Sequence, residues 1–90
     1  MYFEYDRHKS AANEAKHGIN FDAAQALWDD GRLCEAPART EGEPRFLAIG
    51  MMLGKHWTAV YAIRSDVIRL ISVRRARPEE IERYEIQNLR

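Results

Sequence analysis

The 90 residues contain a single cysteine, Cys34. That rules out an internal disulfide and fits a reducing compartment. No apolar run approaches the ~18 residues that a membrane-spanning helix needs. The N-terminus, MYFEYDRHK, has acidic and basic residues where a signal peptide needs an apolar stretch, so a cytoplasmic location without membrane attachment is expected. Neither sign of charge is in excess: 14 basic and 14 acidic residues cancel, so net charge gives no argument for nucleic-acid binding. The three histidines, His8, His17 and His56, form no ligand-spaced pair, and Cys34 has no Cys or His near it. No metal and no cofactor are therefore expected. A nucleophile elbow and a glycine-rich phosphate loop are also missing.

What remains is an ordinary globular composition, 46% hydrophobic and 31% charged, of a length that suits one domain over residues 1–90. Residues 2–5 (YFEY) read as a short strand. Asp6 is a good N-cap for a helix over Arg7–Lys16, with Ala11, Ala12 and Ala15 as a close-packing face. A helix ending at His17 puts Gly18 at the position that favours left-handed backbone, and two basic side chains before it suit the helix dipole. Asn20 can cap a second helix in which Phe21, Ala24, Leu27 and Trp28 recur at helical spacing. Residues 36–44 (APARTEGEP) read as a loop. "RFLAIGMML" and "HWTAVYAIR" are strand-like, joined by a glycine-first turn at Gly54-Lys55, and "VIRLISVR" follows through Ser65-Asp66. Pro78-Glu79-Glu80 opens a last helix whose buried stripe would be Ile81, Tyr84 and Leu89. The fold class is α+β: a small antiparallel sheet with two N-terminal helices and one C-terminal helix, ordered β-α-α-β-β-β-α, the helices on one face.

Charge is segregated along the chain. Residues 64–77 hold Arg64, Arg69, Arg74, Arg75 and Arg77 against Asp66 alone, and Glu79, Glu80, Glu82 and Glu85 follow. Strict alternation along a strand points Arg69 and Arg75 one way and Arg74 the other. A two-residue turn at Ser65-Asp66 would pair Arg64 with Val67 and set it on the Arg69 face. Two readings stay open for these arginines. They are structural ion pairs, with Glu4, Asp6 or Glu41 as partners, or they line a phosphate-binding cleft, for which guanidinium is suited. RNA cleavage without a metal needs a base for the 2′-hydroxyl, cations for the phosphorane and an acid for the 5′-oxygen. Lys9, Lys16, His17, Arg64, Arg69, Arg74 and Tyr84 are groups of the right type.

The chain resembles the BrnT family of toxins from type II toxin–antitoxin systems, which look like a branch of the RelE-type ribonuclease fold. The matching pieces run in order: "FEYD" with Lys9 and Asn13, "KHGINF", Glu41 in an acidic loop, "RFLAIG" beginning at Arg45, "DVIRLISVRRA", then Glu80 and Tyr84. The resemblance implies a metal-independent endoribonuclease that slows translation and growth. It also implies a BrnA-like antitoxin with a ribbon-helix-helix DNA-binding region, through which any operator contact would run. The implied catalytic residues are Lys9, His17, Arg64, Arg74 and Tyr84, with Lys16, Arg69 and Arg75 on RNA. Where similar sequences carry a basic run after Ala76, this chain has Pro78-Glu79. That departure keeps open a non-catalytic RNA- or protein-binding module. Met51, Met52 and Trp57 make an apolar rim at the hairpin, readable as core or as the surface on which the antitoxin docks.

Overall fold

Asp6 starts the first helix as its chemistry dictates: its carboxylate accepts the backbone N–H groups of His8 at 2.8 Å and Lys9 at 3.1 Å. Gly18 ends that helix in the left-handed region at φ 81°, donating its N–H to the Glu14 carbonyl at 2.9 Å. The computed structural model describes residues 2–89. Its elements are β1 (Tyr2–Glu4), α1 (Arg7–His17), α2 (Phe21–Ala24) with a 3-10 continuation over Gln25–Asp29, β2 (Cys34–Pro37), β3 (Phe46–Met52), β4 (Lys55–Arg64), β5 (Val67–Arg75) and α3 (Pro78–Gln87). The strands form one sheet in the order β1-β5-β4-β3-β2. β2 to β5 pair antiparallel, and β1 runs parallel to β5.

The α+β class holds, with one strand more than the sequence suggested. β2 begins at Cys34 and takes in Ala36 and Pro37, the first two residues of the segment read as a loop. Glu35, Ala36 and Pro37 are poor strand formers, and a proline is tolerated there because β2 is an edge strand. The helices do not share one face. Phe21, Ala24 and Leu27, all fully buried, pack with Ala48, Ala59, Tyr61, Leu70 and Val73 on one side of the sheet. Tyr84 of α3 packs with Cys34 and Ile49 on the other. Each large apolar side chain of the main core contributes about 1.5–3 kcal/mol on burial, so the α2 side dominates stability. Leu89 lies past the end of α3 and is 79% exposed, and the buried positions of the helix are Glu80 and Tyr84.

The buried side of α1 is polar. Ala11, Ala12 and Ala15 face solvent, whereas Ser10 and Asn13 are buried. The Ser10 hydroxyl accepts the Phe21 N–H at 2.9 Å and so ties α1 to the start of α2. Asn13 reaches β5.

Met52 and Trp57 belong to the main core at 8% and 6% exposure, and the Trp57 indole donates to the Met52 carbonyl at 2.9 Å. The expected docking rim therefore keeps only Met51 at the surface. The turn beside it sits one residue earlier than expected. Met52 pairs with Lys55, which leaves Leu53 (φ 55°) and Gly54 (φ 73°) as turn residues. Ser65 (φ 50°) and Asp66 (φ 64°) make the second tight turn, and Arg64 does pair with Val67. Both turns have two successive residues at positive φ, the form that matches strand twist.

Gly50 allows a close approach rather than a turn. A Cβ there would lie 2.8 Å from Leu33 Cδ1 and 3.1 Å from Asp30 Oδ2. Gly50→Ala is expected to lower stability by about 1–3 kcal/mol in a urea titration. Leu53→Asn should act in the opposite direction, because Leu53 is 77% exposed and strained at positive φ. Recovering part of the ~1–2 kcal/mol left-handed penalty should raise Tm by about 4 °C.

Candidate nucleic-acid interface

A bulge in β5 decides which arginines meet. Val60 pairs with Ser72 but Tyr61 pairs with Leu70, so Ile71 is an extra residue and alternation resets there. Directly paired residues share a face, which places Arg64 with Val67, Arg69 with Ala62, Ser72 with Val60 and Arg74 with Thr58 on one side of the sheet. Arg75 lies on the other side, its guanidinium 5.6 Å from the Trp57 ring centroid. The expectation that Arg69 would share a face with Arg75 and oppose Arg74 is therefore corrected. Strict alternation assumed a regular strand, and no residue type in "RLISVRR" announces the bulge.

The three arginines on this face differ in how they are held. Arg74 makes a forked pair with Glu80 at 2.8 and 2.9 Å, the two side chains being 18% and 10% exposed. Glu80 also accepts from the Thr58 hydroxyl at 3.0 Å and from the Arg77 N–H at 2.8 Å. Burial pushes the Glu80 pKa up, but Arg74, the Arg77 N–H and Thr58 together hold it down at about 2. Arg74 is thus bound into the fold. Arg64 bonds Glu43 at 2.8 and 3.3 Å, with side chains 54% and 41% exposed. Arg69 stands 3.8 Å from Glu4, the one partner of the three anticipated that it meets. Exposed pairs of this kind are worth about 0–1 kcal/mol, so a phosphate can replace either carboxylate at small cost.

The helical cations approach the same face from the side. Lys9, Ala12, Asn13, Lys16, His17, Ile71 and Ser72 line a depression of about 220 Å³ where α1 meets β5. Ser72 belongs both to this depression and to the arginine face. Lys9, Lys16 and His17 are thereby brought next to the strand that carries Arg69 and Arg74. Lys16 and His17 also occupy the last turn of α1, where a basic side chain suits the negative end of the helix dipole.

Tyr84 is placed elsewhere. It is 5% exposed and its hydroxyl donates to Asp30 Oδ2 at 2.8 Å. Burial and the Asp30 carboxylate push its pKa up to about 12. Its ring packs edge-on against His56, whose Nε2 lies 3.0 Å from Glu85. Ser72 was part of the strand segment that resembles the family but was not assigned to the site, and the contacts of Asn13 and Glu80 were not foreseen. The available signals were a lone polar residue in a β-branched strand and an asparagine within an alanine-rich helix.

A model of the family described as "Ribonuclease toxin, BrnT, of type II toxin-antitoxin system" matches residues 5–80. The chain belongs to the BrnT family. A search of curated proteins gives no match. Membership makes this a ribonuclease toxin family, with RNA as the implied substrate class and an antitoxin as the implied partner. The matched span includes every cation on the arginine face and in the α1 depression, and it ends at Glu80, the carboxylate that binds Arg74. Tyr84 lies beyond it. Among the described residues no helix is long and apolar enough to cross a membrane.

Because Glu80 is held below its ordinary value of 4.5, its contribution is complete above that pH and disappears as pH falls through 4.5 toward 2. The wild-type chain should lose about 3 kcal/mol from this group between pH 5 and pH 2. Glu80→Gln should cost about 3 kcal/mol at pH 7 and flatten that part of the curve, as read by urea unfolding at a series of pH values.

Proposed function

We propose that this BrnT-family chain is an endoribonuclease that cuts RNA without a metal ion on the arginine face, at its border with α1. The observation that carries the reading is the position of Ser72. The β5 bulge turns it to the side of Arg64 and Arg69, and it lines the depression together with Lys9, Lys16 and His17. Cations from a helix and a strand then flank one wet surface, which suits a backbone of closely spaced phosphates. Arg64 and Arg69 hold phosphates on either side of the scissile bond. Lys9 and Lys16 stabilise charge on the phosphorane, and His17 moves the proton. The 2′-oxygen attacks the adjacent phosphorus as its proton leaves. The bond from phosphorus to the 5′-oxygen breaks, and that oxygen takes up a proton. The products are a 2′,3′-cyclic phosphate and a 5′-hydroxyl. Arg74 and Tyr84 support the site through Glu80 and Asp30 rather than by touching RNA.

The same reading has the chain act in the cytoplasm, where cutting RNA slows translation. A BrnA-like ribbon-helix-helix antitoxin would neutralise it and carry any operator DNA contact, with exposed Met51 as one apolar point of docking. A second reading is a non-catalytic RNA-binding module. It is favoured by the carboxylate beside each of Arg64, Arg69 and Arg74.

Purified protein incubated with RNA in EDTA separates the two. The nuclease should yield 2′,3′-cyclic phosphate ends, with rates reduced about 100-fold in His17→Ala and about tenfold or more in Arg69→Ala. RNA retained on the protein but left uncut would favour the module. Wild-type rates in both variants would remove the assigned site.

A further inference from the structure

We infer that Asn13 is a positioning residue for RNA cleavage, fixing the distance between the α1 cations and the β5 side chains of the cleft. The inference rests on the proposed nuclease reading. β1 pairs with β5 only as far as Glu4 opposite Arg69, so from Leu70 onward the outer edge of β5 has no strand beside it. The Asn13 side chain takes the place of a strand there. Its Oδ1 accepts the Val73 N–H at 3.1 Å, and its Nδ2 donates to the Val73 carbonyl at 2.8 Å. The remaining Nδ2 hydrogen goes to the Ile19 carbonyl, also at 2.8 Å, just after Gly18 ends the helix. Asn13 is 7% exposed, and all three bonds are buried.

The placement couples the two sides of the cleft. Val73 lies between Ser72 and Arg74 in the strand. Lys9 precedes Asn13 by one helical turn, and Lys16 and His17 follow it by one. A single amide thus locks α1, the chain leaving α1 and the strand after the bulge to one another. Reaction rates are sensitive to displacements of about 1 Å between reacting groups, whereas electrostatic RNA binding is not.

The test compares Asn13→Ala with Ser10→Ala. Ser10→Ala removes the bond to the Phe21 N–H and loosens the same helix without touching β5. RNA cleavage in EDTA and RNA affinity are measured in trimethylamine N-oxide, at a concentration that restores the wild-type circular dichroism of each variant. Asn13→Ala should lose at least 30-fold in kcat while Kd for RNA stays within threefold, and Ser10→Ala should keep both. Wild-type kcat in folded Asn13→Ala, or equal loss in the two variants, would overturn the inference. If Asn13→Ala does not fold, Asn13→Asp decides by the same measurements, since it keeps the acceptor for Val73. Failure of both to fold would make Asn13 purely structural and overturn the inference too. If the wild type cuts no RNA, the nuclease reading itself fails, a different result from any of these.

Discussion

A strand that extends past its neighbour leaves backbone N–H and C=O groups with nothing to bond, and a buried one must find partners. This sheet meets that constraint twice with a side chain. Where β1 stops, Asn13 bonds Val73 of β5 on both its N–H and its carbonyl. Where β2 stops opposite Ile49, Asp30 accepts the Met51 N–H of β3 at 2.7 Å. Asp30 holds the Tyr84 hydroxyl with the same oxygen. One amide therefore docks α1 to the sheet, and one carboxylate docks both the 3-10 segment and α3. Beside the apolar core, these two polar attachments fix how the elements sit, because each joins elements from distant parts of the chain.

Carboxylate partners grade the arginines by burial. Identical guanidinium groups on one face do different things because water reaches them differently. The Arg74–Glu80 pair is enclosed, forked and supported by Thr58 and the α3 N-terminus, so breaking it would strand a charge. The Arg64–Glu43 and Arg69–Glu4 pairs lie in water, where a carboxylate and a phosphate compete on nearly equal terms. This division gives the face one arginine that builds the fold and two that can change partners. Glu80, which anchors Arg74, is one of the positions at which the chain resembles the family, and it follows directly on the Pro78-Glu79 departure. Neither Arg64 nor Arg69 is paired with a residue of α3.

Local chemistry was legible in the sequence wherever cause and effect lie within a few residues. Asp6, Gly18 and Asn20 act at the helix ends at which they were placed, and Phe21, Ala24 and Leu27 are core. The two-residue turn at Ser65-Asp66 was readable, while the turn at Leu53-Gly54 was displaced by one because leucine rarely takes positive φ. β2 escaped notice since its residues are held by pairing with β3 and not by their own preference. Likewise the helical residues named for the site, Lys9, Lys16 and His17, do line one depression, but Ser72 was invisible beside them.

The sequence by itself determined the family, most of the element types and the α2 part of the core, because caps, turns and hydrophobic spacing act over short range. Tertiary structure alone decided which arginines share a face and which one is locked by Glu80. Those outcomes depend on a single inserted residue in a strand and on a contact across 22 positions of chain, from Thr58 to Glu80. No local preference encodes either, because both arise only when the sheet is assembled.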